Sequence, residues 1–213
     1  SQSQAVAITY KSLRPEVELL VERGVQAIHA DFSTDQGIFR AAQELKETFP
    51  ALRALVHNAS SWSSDGEYSE QLKILASMMR IHVGAPMIIS EALTPALKAS
   101  NSPSIINISD HVANRGSDKH MAYAASKNAL LALTKSQAKK LAPHIRVNAL
   151  CPALLEFRDG DSAEYQKKTL EKCPLELVPG FGVAVSAICY LQENLYTTGV
   201  TLPLEGGRSL NMP

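Results

Sequence analysis

Residues 103–127 read PSIINISDHVANRGSDKHMAYAASK. Apolar β-branched residues at 105, 106 and 108 describe a buried strand that stops by Asp110, and a polar loop then leads into a helix carrying AYAASKNALLALTKSQAKKLA. The same alternation extends in both directions. AVAITY (5–10), VQAIHADF (25–32), LRALVHNAS (52–60), IRVNALCP (145–152) and the segment TTGVTLPLEGG (197–207) supply strand patterns. Helical patterns fall at Pro15 to Arg23, stopped by Gly24, at 37–49, from about Glu70 to Ala99 with bends near Pro86 and Pro95, and within 179–192.

Strands separated by helices of ten residues or so pair in parallel through right-handed crossovers. The expected fold is therefore α/β, a Rossmann-like doubly wound parallel sheet in a three-layer αβα sandwich, with residues 1–213 as one domain. Ligands in such sheets sit at the carboxyl ends of the strands.

At that edge stand Asp110, Tyr123 and Lys127. Tyr123 and Lys127 are four apart, so on a helix they share a face, and a nearby ammonium would favour phenolate. Taken alone, a tyrosine and lysine at this spacing also describe a surface pair. Asp110 reads either as a turn cap or as a catalytic carboxylate.

Four segments carry a family likeness: HNAS (57–60), IINISD (105–110), YAASK (123–127) and RVNALCPA (146–153). Together they resemble the short-chain dehydrogenase/reductases, from Ala5 to Gly207. In that family the position of Asp110 is normally serine; aspartate there resembles the pteridine reductase branch. The resemblance implies an NADPH-dependent oxidoreductase of tetrahydropterin and folate metabolism. Its reaction would be reduction of a pterin C=N bond, as in 7,8-dihydromonapterin and, less well, dihydrofolate, with Asp110, Tyr123 and Lys127 catalytic. A carboxylate suits pterin amino and ring N–H donors, whereas a ketone oxygen wants a donor. A carboxylate also opposes phenolate, so Asp110 and Tyr123 are expected to share a proton and feed it to a water or a ring nitrogen.

The same resemblance carries cofactor contacts onto Tyr10, Lys11, Ser12, Asp31, Phe32, Asn58, Ala59, Ser60, Lys127 and Pro152. The second-strand loop YKSLR has basic residues and no acid, which favours NADPH over NADH. Trp62 would stack on a pterin or pack in the core, and His82, where the family has asparagine, would hold a water or be a satisfied core histidine. The polar stretch 156–168 falls at the family's substrate-covering loop.

The departure is at the front. The family opens with a strand and a TGxxxGxG turn that receives the pyrophosphate, and this chain has neither; it begins SQSQ, without methionine. About thirty residues, the length of a strand, turn and helix, are expected to be missing, through a misassigned start or truncation. The absent strand would be central, leaving two rows of backbone groups unpaired, and the chain is expected to bind NADPH poorly.

Twenty-one basic residues balance twenty-one acidic ones, so no field gathers nucleic acid or anionic lipid. Three cysteines without a CxxC pair point to reducing cytoplasm. No apolar run is read as transmembrane, the opening residues lack the features of a signal peptide, and no metal-ligand spacing is found around His111 or His120. The family precedent is a homotetramer, and the helix after Tyr123 is apolar on more than one face. Two rival readings stay open: a carbonyl (3-oxoacyl or ketone) reductase of the same fold, and a non-catalytic fragment.

Overall fold

The computed structural model describes residues 5–211; the opening residues 1–4 lie outside that range. Elements run β1 (Ala7–Tyr10), α1 (Pro15–Glu22), β2 (Gln26–His29), α2 (Asp35–Thr48), β3 (Ala54–His57), α3 (Gln71–Met79), α4 (Ala85–Lys98) and β4 (Ser104–Ile108). They continue with α5 (Val112–Arg115), α6 (Met121–Leu141), β5 (Arg146–Pro152), α7 (Ala163–Leu170), α8 (Gly182–Glu193) and β6 (Thr201–Leu204).

Every strand pairing is parallel, but the sheet is in two parts: β1 pairs with β2, and β3-β4-β5-β6 form the other. The central strands β4 and β5 are covered on both faces, with Ile105, Ile106, Val147, Ala149 and Leu150 at 0 % exposure. This is why they read as continuous apolar runs rather than alternating ones. β1 has no buried residue, and Val56 of β3 is 37 % exposed. Among the described residues each of these strands has one hydrogen-bonded neighbour, and its apolar side chains stay partly wet. The break falls at the place where the family's first strand is expected.

One apolar layer spans the break. Ile38, Ala42 and Leu45 of α2 and Ala85, Ile89 and Leu93 of α4 pack with Ile28 of β2, and Leu55 of β3 lies against them. The buried positions of α2 (38, 41, 42, 45) follow one helical stripe, and Thr34 caps the helix by accepting from the Gly37 amide at 3.0 Å. A side chain at Gly37 would meet the Asp31 carbonyl oxygen at 1.9 Å, so only glycine lets α2 start that close to the end of β2.

The long helix expected over 70–99 is three pieces. A 3-10 turn at Tyr68–Glu70 leads into α3, and a π-helical turn, Arg80–Gly84, separates α3 from α4. Pro86 follows directly; its missing amide and its ring disturb the ladder of the preceding turn. Pro95 lies inside α4 without ending it. By length and composition the run Tyr68–Lys98 could cross a membrane, its most apolar 18 residues having a mean hydropathy of 1.4, which corrects the reading of no such run. Here its α4 part packs on α2 and its α3 part on α6, and it carries His82 and Ser90, each 1 % exposed. Val112–Arg115, read as loop, forms the short helix α5.

RVN at the start of β5 is structural. Arg146 donates to the carbonyls of Leu191 (2.6 Å) and Gln192 (2.7 Å), closing the end of α8. Asn148, 0 % exposed, donates to Thr197 O at 2.9 Å and accepts from the Val200 amide at 3.2 Å, seating β6 beside β5. Asn148→Ala orphans both groups, so it is expected to cost about 2–4 kcal/mol; urea unfolding checks this, and a loss below about 1 kcal/mol contradicts it.

Candidate active site

Asp110 lies two residues past β4, on the turn that begins α5. One carboxylate oxygen accepts from the Val112 amide at 2.8 Å, and the other accepts from the Tyr123 hydroxyl at 2.9 Å. The turn cap and the pairing with Tyr123 are thus compatible, because they use different oxygens of the carboxylate. Tyr123 and Lys127 sit on α6, whose buried stripe runs Ala124, Lys127, Leu131, Thr134, Ala138 and Leu141. Ser109 donates to the Lys127 carbonyl at 2.9 Å and fixes α6 against the end of β4.

Lys127 is 3 % exposed, and its Nζ donates to Ile108 O at 3.0 Å and stands 5.7 Å from the Tyr123 ring centre. Burial pulls its pKa down to about 8, against the opposing pull of the Asp110 charge. The Tyr123 phenol is pushed above its ordinary value, first by burial, then by the Asp110 carboxylate, with the Ser60 hydroxyl pulling the other way. Burial leads and the Asp110 carboxylate adds to it, the opposition to phenolate that the sequence implied.

The Lys127 shift has a stability consequence. Its folded pKa lies below the ordinary 10.5, so between about 8 and 10.5 the unfolded chain binds more protons, and stability from this group rises with pH over that window. Below about 8 the buried ammonium is a standing cost. Lys127→Met is expected to raise Tm at pH 7 while abolishing turnover; a lowered Tm contradicts it.

Ser60 and Ser61, just past β3, are tied to His82 of the π-helical turn, Ser60 Oγ at 2.9 Å and the Ser61 amide at 3.2 Å from Nε2. His82 Nδ1 meets Ser126 Oγ at 2.8 Å. With both nitrogens taken by protein groups, His82 is a satisfied buried histidine rather than a holder of water. Trp62, the single tryptophan, is 57 % exposed and tilted over the His120 ring at 4.5 Å. Core packing, the plainer of its two readings, is thereby corrected: the indole lies open beside the Ser60 loop.

Asp65 was not foreseen. Its two oxygens accept from the Met121 and Ala122 amides at 2.8 and 3.1 Å, capping α6, whose own cap residue His120 supplies no side-chain bond. The partners are 56 and 57 residues away, beyond the reach of any local capping pattern. His111 instead pairs with Glu205 at 2.6 Å, joining the β4 turn to the chain after β6. Among the described residues no cluster of three His, Cys, Asp or Glu side chains occurs.

The remaining expected contacts lie along the carboxyl ends of the strands. Tyr10 meets His29 edge-on at 5.6 Å; Lys11 contacts Asp31 at 3.1 Å and donates to Ser33 Oγ at 3.1 Å; Ser12 is exposed. The Asp31 carboxylate is held down to about 2 by the Ser33 hydroxyl and amide, with Lys11 adding to this, so it is engaged locally. Phe32 packs against the α2/α4 core, Asn58 and Ala59 are exposed beyond β3, and Pro152 ends β5, its carbonyl accepting from the His111 amide at 2.9 Å. Asp110, Tyr123, Lys127, Ser60 and His82 form one connected group; Tyr10, Lys11, Ser12 and Asp31 belong to the smaller sheet, across the break. The donor set fits a dinucleotide at its two ends: Lys11 and Ser12, exposed beyond β1, would offer donors at one, and the Lys127 ammonium, which donates to Ile108 O, would offer its remaining N–H groups at the other.

A doubly wound parallel sheet with tyrosine, lysine and a paired carboxylate at its edge defines a reductase fold of the short-chain type. Residues 2–209 match the family model described as enoyl-(acyl carrier protein) reductase, and the chain belongs to the short-chain dehydrogenase/reductase family. It is 43 % identical over 210 residues to a dihydromonapterin reductase of Enterobacter sp. (strain 638), covering 98 % of this chain and 88 % of that one. It is 40 % identical over 212 residues to the dihydromonapterin reductase of Escherichia coli O6:K15:H31, covering 99 % and 88 %. Among solved structures, FolM alternative dihydrofolate reductase 1 of Brucella canis complexed with NADP superposes with a TM-score of 0.86 at 26 % identity, covering 98 % of this chain and 85 % of that one.

Proposed function

We propose that the protein reduces 7,8-dihydromonapterin to tetrahydromonapterin with NADPH, and dihydrofolate more weakly. The observation that carries this reading is the 2.9 Å bond from the Tyr123 hydroxyl to Asp110. A serine in place of Asp110 would offer a carbonyl oxygen a donor; the carboxylate offers an acceptor to the amino and ring N–H groups of a pterin. Relatives named dihydromonapterin reductase at 40–43 % identity support the same choice.

NADPH, when bound, supplies the hydride that reaches the imine carbon. The chain's own residues handle the proton. Tyr123 and Asp110 hold one proton between them, and it passes, directly or through a water, to the ring nitrogen that gains electron density as the C=N bond is reduced. Lys127 holds ribose hydroxyls and keeps positive charge beside the pair. Trp62, exposed beside the Ser60 loop, would stack on the pterin ring.

Lys11 and Ser12 favour the phosphorylated cofactor, and residues 1–213 act as one NADP-binding domain. Lys11→Glu replaces a cation by an anion there, so KM for NADPH should rise about tenfold or more with kcat little changed. An unchanged KM would remove Lys11 from the cofactor site. Free cysteines, two buried and one exposed, suit a cytoplasmic protein, and the exposed Phe181, Val185 and Tyr190 on and beside α8 suit a homo-oligomer, with a tetramer as the family's precedent.

The direct assay follows NADPH absorbance with 7,8-dihydromonapterin. Turnover of the pterin is expected; vigorous reduction of a 3-oxoacyl or ketone substrate without pterin activity would overturn the reading in favour of a carbonyl reductase.

A further inference from the structure

Beside Tyr123 stands a second hydroxyl, and a histidine determines where it points. His82 is 1 % exposed and lies edge-on to the Tyr123 ring, with centres 5.5 Å apart at 85°. The Ser61 amide can only donate, so Nε2, which it meets at 3.2 Å, is an acceptor and the ring proton sits on Nδ1. Nδ1–H then donates to Ser126 Oγ at 2.8 Å, and Ser126 donates onward to the Tyr123 carbonyl at 2.7 Å. By the same logic Ser60 donates its hydroxyl proton to Nε2 at 2.9 Å. Burial keeps the imidazole neutral, with its pKa lowered to about 3.

Ser60, hydrogen-bonded to the ring that packs edge-on against Tyr123, also stands near enough to the phenol for its hydroxyl to favour the phenolate. It therefore has two acceptors to choose between. While Tyr123 is protonated, the phenol donates to Asp110 and Ser60 rests on His82. Once the proton has left, the phenolate oxygen faces a carboxylate and needs a donor. Ser60 can turn to it at no cost to the histidine, because Nε2 keeps the Ser61 amide and no buried acceptor is orphaned.

We propose that His82, as the neutral Nδ1–H tautomer, is a positioning residue that holds Ser60 ready as a donor to the Tyr123 oxygen, restoring the hydroxyl that Asp110 displaces. The inference rests on the reading of Tyr123 as proton donor to a dihydropterin. It assigns the tyrosine's partners by stage: Asp110 before proton transfer, Ser60 after it.

Two amide substitutions separate the arms of the ring. In His82→Gln the side-chain amide reaches the Nε2 position and can accept from Ser60 and Ser61; in His82→Asn it reaches only the Nδ1 position and serves Ser126. The expected result is a kcat for 7,8-dihydromonapterin within about threefold of wild type for His82→Gln and about tenfold down for His82→Asn, the worth of one donor to a charged oxygen. The KM for NADPH should stay level in both. Equal losses, or the reverse order, would overturn the proposal. Nitrogen-15 spectra of the histidine rings, taken without cofactor or substrate, test the clamp separately. They should place the His82 proton on Nδ1, with a shift at Nε2 in Ser60→Ala; a proton on Nε2, or no response to Ser60→Ala, overturns the clamp whatever the substrate. If the wild-type protein turns over no dihydropterin while the spectra come out as expected, the functional reading fails and the clamp stands.

Discussion

Tyr123→Phe is expected to lower kcat for dihydropterin reduction by about 10²- to 10⁴-fold, the range of a positioned general acid. The ring stays in place, since its packing against His82 and the Ser126 bond to its backbone do not involve the hydroxyl. Stability should therefore change little. What is lost is the group that shares a proton with Asp110. Because burial and Asp110 both hold the phenol protonated, the wild-type tyrosine carries its proton across the neutral range, and its removal leaves Asp110 with no proton to relay. Stopped-flow measurement of NADPH oxidation, alongside the melting curve, checks both halves. A kcat within about threefold of wild type would show that the proton comes from elsewhere.

The second large effect is expected from Asp110→Asn. Asparagine keeps an oxygen for the Val112 amide, so the turn that begins α5 survives, but the charge is gone. Hydrogen bonds from pterin donors to a carboxylate are worth about 1.5–3 kcal/mol each, against about 1 for neutral pairs. Two such bonds lost, together with the shared proton, should lower kcat/KM for the pterin by at least about 10²-fold. Pterin affinity can be read apart from chemistry: Trp62 is the single tryptophan and is exposed beside the Ser60 loop, so its fluorescence should be quenched by bound dihydropterin. The variant should need about tenfold more pterin for half quenching, with the KM for NADPH unchanged. Equal loss of pterin and NADPH binding would reduce Asp110 to a structural cap.

The strand and helix alternation, and the triad at its edge, were legible because they rest on local pattern: apolar runs at β4 and β5, and a fixed spacing from Asp110 through Tyr123 to Lys127. The division of the sheet was legible for a different reason. The lack of a match to the family's first strand implied unpaired edges on β1 and β3, and among the described residues each of the two has a single hydrogen-bonded neighbour. The π-helical turn at Arg80–Gly84 was hidden, since Pro86 signals a disturbance without stating its form. Asp65, Ser126 and the double role of Asp110 were hidden as well. Their partners are set by how α6 docks on the β3 and β4 loops, and no window of sequence contains both ends of those bonds. His82 shows the limit most clearly: the sequence left a water holder and a satisfied core histidine both open, and only the packing of Ser60, Ser61 and Ser126 around the ring reveals that both nitrogens are already taken.

The central claim is that Asp110 directs this tyrosine–lysine site to a pterin rather than to a carbonyl oxygen. The most direct measurement is the ratio of kcat/KM for 7,8-dihydromonapterin to that for a 3-oxoacyl substrate, taken in wild type and in Asp110→Ser under one NADPH concentration. The ratio should favour the pterin in wild type and fall by about 10²-fold or more in the serine variant, through loss on the pterin side with little loss or a gain on the carbonyl side. A ratio that stays level, with both substrates losing equally, would contradict it.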